Sequence, residues 1–533
     1  MQFNSFEFIY IFLPISIILF FAAAKLVGTR TAVAILVIAS LFFYAWWEPI
    51  YLLLISGSIL FNYTIGYLIT RDRKYYFFSD KILLAVGICG NLALLAYFKY
   101  ANFFVDNFSL ASGIEVNVPP IILPIAISFF TFQQIAYLVD CKRKETGEYS
   151  FMNYALFVTF FPQLLAGPIV HHKEMMPQFS NPTVYRVSNT NLAVGLAIFG
   201  IGILKKVMIA DQIAPFSDNV FNAVHGGLTP TIWEAWAGAL AFTFQLYFDF
   251  SAYSDMAIGL ARMIGIVLPL NFFSPYKATN IISFWQRWHI TLSRFLRDYL
   301  YIPMGGNRRG VERRYTNILI TMVIGGLWHG ASWTFVCWGA YHGFLILANH
   351  AWLSLLRKTG FRLGNSRTIV TPLACMFTFF CVVIGWVFFR AETFADAATM
   401  LSAMFGGSTH LTDPNDTPII ADWKRHLAWL SALLALVWLA PNTVQIFGRF
   451  KPAIVPPSLQ SSIHKFYVEN HSEPSHLKPS KGGRRAITLE LIQFLQARAS
   501  IISIILILII FAMFGAIFFN PGQTANTFIY SIF

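Results

Sequence analysis

The chain has 533 residues, 56% of them hydrophobic and 12% charged, where soluble domains carry about 25% charged residues; a soluble globular protein is excluded. Lysine and arginine number 38 against 25 acids, a net charge of +13, which in a soluble chain would suggest nucleic acid but in a membrane chain reflects basic cytoplasmic loops. The five cysteines contain no CxxC pair, so neither a disulfide framework nor a zinc site is expected.

Apolar runs of membrane-spanning length recur along the sequence. They are Ile9–Ala24, Thr31–Trp47, Tyr51–Thr70, Ile82–Tyr97, Ile121–Val139, Phe151–Val170, Leu192–Ile209, Trp233–Phe250, Phe335–Ala351, Val370–Phe389, Leu427–Leu439 and Ile501–Phe519. The first follows no basic region and lacks a small-residue cleavage site, so it reads as a retained helix rather than a signal peptide. The expected fold class is an all-α polytopic integral membrane protein, built as one helical body without an internal repeat.

Charge assigns sides. The short basic loops "RDRK" (Arg71–Lys74) and "CKRK" (Cys141–Lys144) are placed in the cytoplasm. Pro162 and the pair Gly167-Pro168 should break the run around "FFPQLLAGPIVHH", with His171 and His172 at its mouth. In "FQLYFDFSAYSDMAIGLARMIG", Asp249 and Tyr253 are four apart and share a helical face; they could hydrogen-bond a histidine or another helix. The segment Arg262–Arg314 has nine basic residues and two acids, so it lies in the cytoplasm or at that interface. Its stretch "SFWQRWHITLSRFLRDYLYIPMGGNRRG" interleaves Trp285, Trp288, Phe295, Tyr299 and Tyr301 with Arg287, Arg294 and Arg297. An amphipathic interfacial helix explains the aromatic and arginine content, but requires neither His289 nor the turn containing Asn307. That turn is rich in backbone donors and guanidinium groups suited to phosphates.

Next comes "GGLWHGASWT". Arg313–Arg314 precede it and Arg357–Lys358 follow it, so the chain enters the membrane and returns. The limb Tyr315–Trp328 spans about 21 Å at ~1.5 Å per residue, short of a core of about 30 Å, which puts His329 near a turn within the membrane. Irregular backbone there is tolerated only inside protein or beside a watery cavity. An ionisable residue at such depth is either a functional group or a histidine bonding a neighbouring helix; as a functional group, histidine suits general-base work near neutral pH. The loop Arg390–Arg425, containing Thr412, has five acids and three basic residues and is the best candidate for the outside. The organisation expected is a membrane core over 1–446, a basic Pro- and Ser-rich cytoplasmic loop over 447–500, and a final helix and tail over 501–533. HExxH, Walker A, GxSxG and HxxxxD motifs do not occur.

Taken together, "FNSFEFIYIFLPI", "FFPQLLAGPI", "YFDFSAYSDMAIG", "RWHITLSRFLRDYLYIPMGGN" and "GGLWHGASWTFVCWGAYHG" resemble the membrane-bound O-acyltransferase family, in its bacterial branch around the membrane subunit of alginate O-acetylation. The resemblance reaches to about Arg390. It implies a helical bundle with re-entrant segments around a central tunnel, with roughly 11 or more spans, in the bacterial inner membrane. It implies His329 and His289 as the family's two histidines, His329 acting as general base. Asp249, Trp285, Arg287, Trp288, Arg294, Arg297, Asn307 and Trp328 become candidates for holding substrate or donor. No bound cofactor or metal is expected. The implied donor is cytoplasmic acetyl-CoA. The implied acceptor is an extracytoplasmic polysaccharide such as alginate, a cellulose-like polymer or peptidoglycan, reached with a separate extracytoplasmic SGNH-type partner. Tryptophan or backbone N–H groups near the turn would stabilise charge on the thioester oxygen. Two alternatives stand beside this: D-alanyl transfer to teichoic acid, and a non-catalytic polysaccharide channel or transporter. The lack of inverted repeats argues against a secondary transporter.

Overall fold

A computed structural model describes residues 1–71, 78–116, 119, 121–146, 150–359, 367–407 and 419–460. Thr412, most of the basic loop and the expected last span Ile501–Phe519 lie outside the described residues. Within them the chain is helical, apart from loops and one isolated bridge between Pro269 and Ile454.

Five described helices are long and apolar enough to cross a membrane: Glu7–Leu26, Tyr51–Thr70, Asp80–Ser112, Asn189–His225 and Ile369–Arg390. A sixth arises if Trp423–Leu439 and Thr443–Phe450, bent by 42°, form one span. Ile232–Ile264, Val311–His329 and Trp333–Thr359 have the length, at 33, 19 and 27 residues. They carry too many polar side chains for composition alone to mark them. Two expected spans are broken. Phe151–Thr159 and Phe161–Leu164 are separate helices at Pro162, and the chain then runs irregularly past Gly167 to His172–Phe179. Ile121–Val139 becomes helical only from Ile127, and the helix, Ile127–Lys142, buries Thr131, Gln133, Gln134 and Asp140.

Ile232–Ile264 is the axis of the bundle. It starts on a capping box of Thr231 and Glu234, ends at Gly265 with φ 92°, and is buried along nearly its whole length. The hydroxyls of Thr243, Ser251 and Ser254 and the carboxylates of Glu234, Asp249 and Asp255 on it are buried as well, so its partners must come within hydrogen-bonding range. Small residues allow that approach: a Cβ on Gly195 would lie 2.6 Å from the Gly259 carbonyl oxygen, and one on Gly259 would lie 2.5 Å from that of Gly195. Residues 448–460, read from sequence as part of the basic loop, pack back on the core. Leu270 N–H donates to Ile454 O, and Ile454 N–H to Leu268 O, each at 2.9 Å.

The Ser283–Gly310 stretch is not one amphipathic helix. It forms Ile281–Trp285 and Ile290–Leu296, then a π-helical turn over Arg297–Tyr301. The break falls at His289, whose φ of 41° is left-handed, and it turns Trp288 and Phe295 into the protein.

Candidate active site

Val311–His329 and Trp333–Thr359 form a tight hairpin through Gly330, which is extended at φ −162° and ψ 148°. The limb begins at Val311, four residues before the expected start. At ~1.5 Å per residue it is about 28 Å long, so its length does not make it too short to cross; the turn and the burial of His329 do the positioning. The limbs touch backbone to backbone: a Cβ on Gly326 would collide with Phe335 O, and one on Gly339 with Met322 O. His329 is the last helical residue and is 3% exposed. Aromatic rings enclose its imidazole, with centroids at 4.9 Å for Trp328, 5.1 Å for Trp338 and 5.3 Å for Phe389.

A helix end leaves carbonyls without intrahelical donors, and here that end is buried. Lys99 and Tyr100, from the π-helical turn Ala96–Tyr100 and its edge, supply the donors. Tyr100 Oη donates to Leu327 O at 3.0 Å, and Lys99 Nζ to Trp328 O at 2.5 Å and His329 O at 3.2 Å. Sequence reading missed Lys99 because the apolar run was ended at Tyr97; the rule that flagged His329 applies equally to a lysine in "YFKYANF".

His289 is fully buried, with its ring 6.4 Å from that of His329 and 4.8 Å from Phe250. Its Nδ1 is 3.1 Å from Asn271 Oδ1, which also accepts from Thr291 Oγ1 at 2.9 Å. With that oxygen as acceptor, Nδ1 carries the proton and Nε2 is the basic nitrogen. Asn271, another residue the sequence did not single out, thus sets the tautomer.

A cavity of about 1030 Å³ opens beside this core. Trp285, Arg294, Arg297 and Asn307 line it, together with Arg314 and the returning segment 454–458. Arg294 pairs with Glu174 at 2.8 Å, and Arg297 with Asp298 at 2.7 Å. The other candidates sit elsewhere. Arg287 holds Ser283 and the Phe273 carbonyl at 3.3 and 3.4 Å. Trp288 packs on Phe272, Phe284 and Trp386. Trp328 stacks on Phe132 at 5.3 Å. Asp249 is ion-paired to Lys206 at 2.8 Å.

Between the cavity and His329 stand Trp285 and Trp338, 5.7 Å apart. The buried His342 lies against both, at 5.3 and 5.0 Å, and neither of its ring nitrogens has a hydrogen-bond partner among the described residues. The same is true of the indole N–H groups of Trp328 and Trp338.

A second cavity of about 400 Å³ lies at the hairpin turn. Its walls include Ser332, Thr334, Phe335, Phe389, Gln245 and Arg390. The first cavity borders the limbs between Arg314 and Met322 and at Ile346 and His350; the second borders the turn itself. His329 and its rings stand between the two. That arrangement can pass a group from one compartment to a nucleophile in another while excluding bulk water.

The family model for membrane-bound O-acyltransferases matches residues 77–391. A peptidoglycan O-acetyltransferase of Helicobacter pylori is 43% identical over 76% of this chain and 80% of its own length. A probable alginate O-acetylase of Pseudomonas putida is 42% identical over 78% of this chain and 82% of its own. A teichoic acid D-alanyltransferase of Streptococcus thermophilus is 27% identical over 43% of this chain and 57% of its own.

Proposed function

Since the chain belongs to the membrane-bound O-acyltransferase family and is a multi-pass membrane acyltransferase, we propose that it moves an acetyl group from cytoplasmic acetyl-CoA to an extracytoplasmic acceptor for O-acetylation of alginate or peptidoglycan, with His329 as general base. The observation that carries this reading is the place of His329 between a large cavity bordered by arginines and a smaller cavity at the far end of the hairpin. The donor's phosphates would meet Arg294, Arg297 and Asn307, whose N–H groups suit phosphate oxygens. Its acyl arm would pass Trp285 and Trp338.

In the transfer step the His329 imidazole accepts the acceptor's hydroxyl proton as that oxygen attacks the thioester carbonyl. The C–S bond then breaks and the departing thiolate takes up the proton. Charge on the carbonyl oxygen is met by the indole N–H of Trp328 or Trp338. His289, fixed by Asn271, orients the reacting groups beside it. A separate extracytoplasmic SGNH-type protein would complete delivery to the polymer in the inner-membrane setting. The match to D-alanyltransferases is lower in identity and extent, which favours acetyl as the group moved.

The test is transfer of labelled acetyl from acetyl-CoA in membranes containing the wild type or His329→Ala at equal expression. Removing a general base costs about 10²–10⁴-fold. Activity of the variant within a few-fold of wild type would remove the base role. Labelling from D-alanyl carrier protein but not from acetyl-CoA would reassign the donor.

A further inference from the structure

Val311–His329 stops inside the protein, and the N–H groups of the chain just after it turn to other acceptors: Ser332 N–H to Gly330 O at 2.9 Å, and Val336 N–H to Ser332 O at 3.3 Å. Unsatisfied buried carbonyls are costly. All three of the last ones, on Leu327, Trp328 and His329, are taken by two consecutive residues more than 220 positions earlier in the chain. A regular α-helix points neighbouring side chains about 100° apart. The π-helical turn at Ala96–Tyr100 changes that spacing, and such turns concentrate at functional sites.

The Lys99 ammonium has three N–H groups. Trp328 O, His329 O and, at 3.4 Å, Ser128 Oγ are among its acceptors. The same ammonium lies 5.8 Å from the centre of the Trp328 ring. A cation at a helix C-terminus also complements the helix dipole. Lys99 is buried at 9% exposure and lines neither cavity. Its contacts to Trp328 O and His329 O reach the backbone of the catalytic residue, and it stands outside the walls of both cavities.

We propose that Lys99 is the positioning residue of the transfer reaction: with Tyr100 it clamps the terminal turn of the hairpin, fixing where the His329 imidazole and the Trp328 indole stand relative to the thioester. This rests on the reading of His329 as general base. Removing the clamp would let the last turn fray while the donor cavity stays as it is. A displacement of about 1 Å in a reacting group can cost about 10²-fold in rate.

The experiment uses the full-length protein in lipid nanodiscs with labelled acetyl-CoA and its native membrane acceptor. Lys99→Met, Tyr100→Phe, Ser128→Ala and His329→Ala are compared for kcat, KM for acetyl-CoA and melting temperature. Lys99→Met should lower kcat at least tenfold with KM within twofold. Tyr100→Phe should lower kcat by a smaller factor at unchanged KM. In a His329→Ala background, Lys99→Met should remove less than a further twofold, because the residue acts through the histidine.

A kcat for Lys99→Met within twofold of wild type, while His329→Ala is inactive, overturns the clamp and leaves the base intact. A further tenfold loss in the His329→Ala background also overturns it, since the lysine would then act by another route. Full activity of His329→Ala defeats the functional reading itself. If Lys99→Met does not accumulate as folded protein, Tyr100→Phe decides: wild-type kcat overturns the proposal, and a lowered kcat with unchanged KM and melting temperature upholds it.

Discussion

Lys206→Met should be among the most damaging substitutions away from the histidines, and Asp249→Asn a milder one that spares donor binding. Lys206 sits on the π-helical turn Lys205–Ala210, where consecutive lysines diverge. Lys205 reaches Asp255 at 2.6 Å and Thr443 Oγ1 at 3.1 Å. Lys206 reaches Asp249 and Asp211, each at 2.8 Å. The side chains of Lys206, Asp249 and Asp211 are 2%, 1% and 16% exposed, so solvent screens little of this triad. Methionine at 206 keeps the volume but removes the cation that both carboxylates pair with. Breaking a buried pair in this way costs about 3–5 kcal/mol. Asparagine at 249 keeps an acceptor for Lys206, whose charge still meets Asp211; the loss is that of one charge-assisted bond, about 1.5–3 kcal/mol. Unfolding in detergent, followed by tryptophan fluorescence, gives the two values, and acetyl-CoA titration gives KM. Stability of Lys206→Met within about 1 kcal/mol of wild type would refute the burial argument. A tenfold rise in KM for Asp249→Asn at unchanged stability would return Asp249 to the donor site.

Gly339→Ala should destabilise by about 1–3 kcal/mol and lower turnover, because its Cβ meets the Met322 backbone and pushes Trp338 away from His329; a wild-type melting curve with normal turnover would contradict the close approach. Asn271→Ala should lower kcat about tenfold, equivalent to about 1.4 kcal/mol, by releasing the His289 tautomer, and His289→Ala should lower it at least as far; undiminished kcat in both would dismiss His289 from the reaction. A cysteine at Arg309 should react only with reagents that enter the cytoplasm, and one at Glu392 with impermeant reagents from outside, while one at 329 should react poorly with bulky reagents from either side. Labelling of positions 309 and 392 from the same side would misplace the helices between them.

The sequence showed the hairpin well, because Gly325, Gly326 and Gly330 flank a histidine between two apolar runs and basic residues bracket both ends. It showed the breaks at Pro162 and Gly167 for the same local reason. It did not show where Val311–His329 begins, since helix propensity continues through "VERRY" without an apolar signal. Nor did it show the reversal at His289. A left-handed backbone at a non-glycine residue is uncommon, and here the ring is held by Asn271, 18 positions away. Hydropathy also placed Lys99 just past a span that the structure continues to Ser112. Asp249 and Trp288 look alike in sequence as polar or aromatic members of a rich motif. Three-dimensional pairing separates them from Trp285, Arg294, Arg297 and Asn307, which reach the large cavity.

The ring contacts around His329 bear on why the two cavities do not simply join. A continuous polar passage would leak solutes and would let water, present at far higher concentration than any acceptor, take the acyl group. Trp338, Phe335 and Phe389 fill the space between the cavities instead: Phe335 meets Phe389 at 5.0 Å and Trp338 meets Phe389 at 5.3 Å. An apolar layer of that kind excludes water and strengthens each electrostatic contact inside it. It also raises the cost of any polar group left without a partner. Several polar groups in or beside the layer are tied in place by long-range contacts. Lys99 ties the His329 turn, Asn271 ties His289, and Asp218 holds Arg390 at 2.9 Å on the wall of the smaller cavity. For the proposed transfer, a dry layer supplies selectivity for the acceptor over water, and these ties keep the imidazole fixed within that layer.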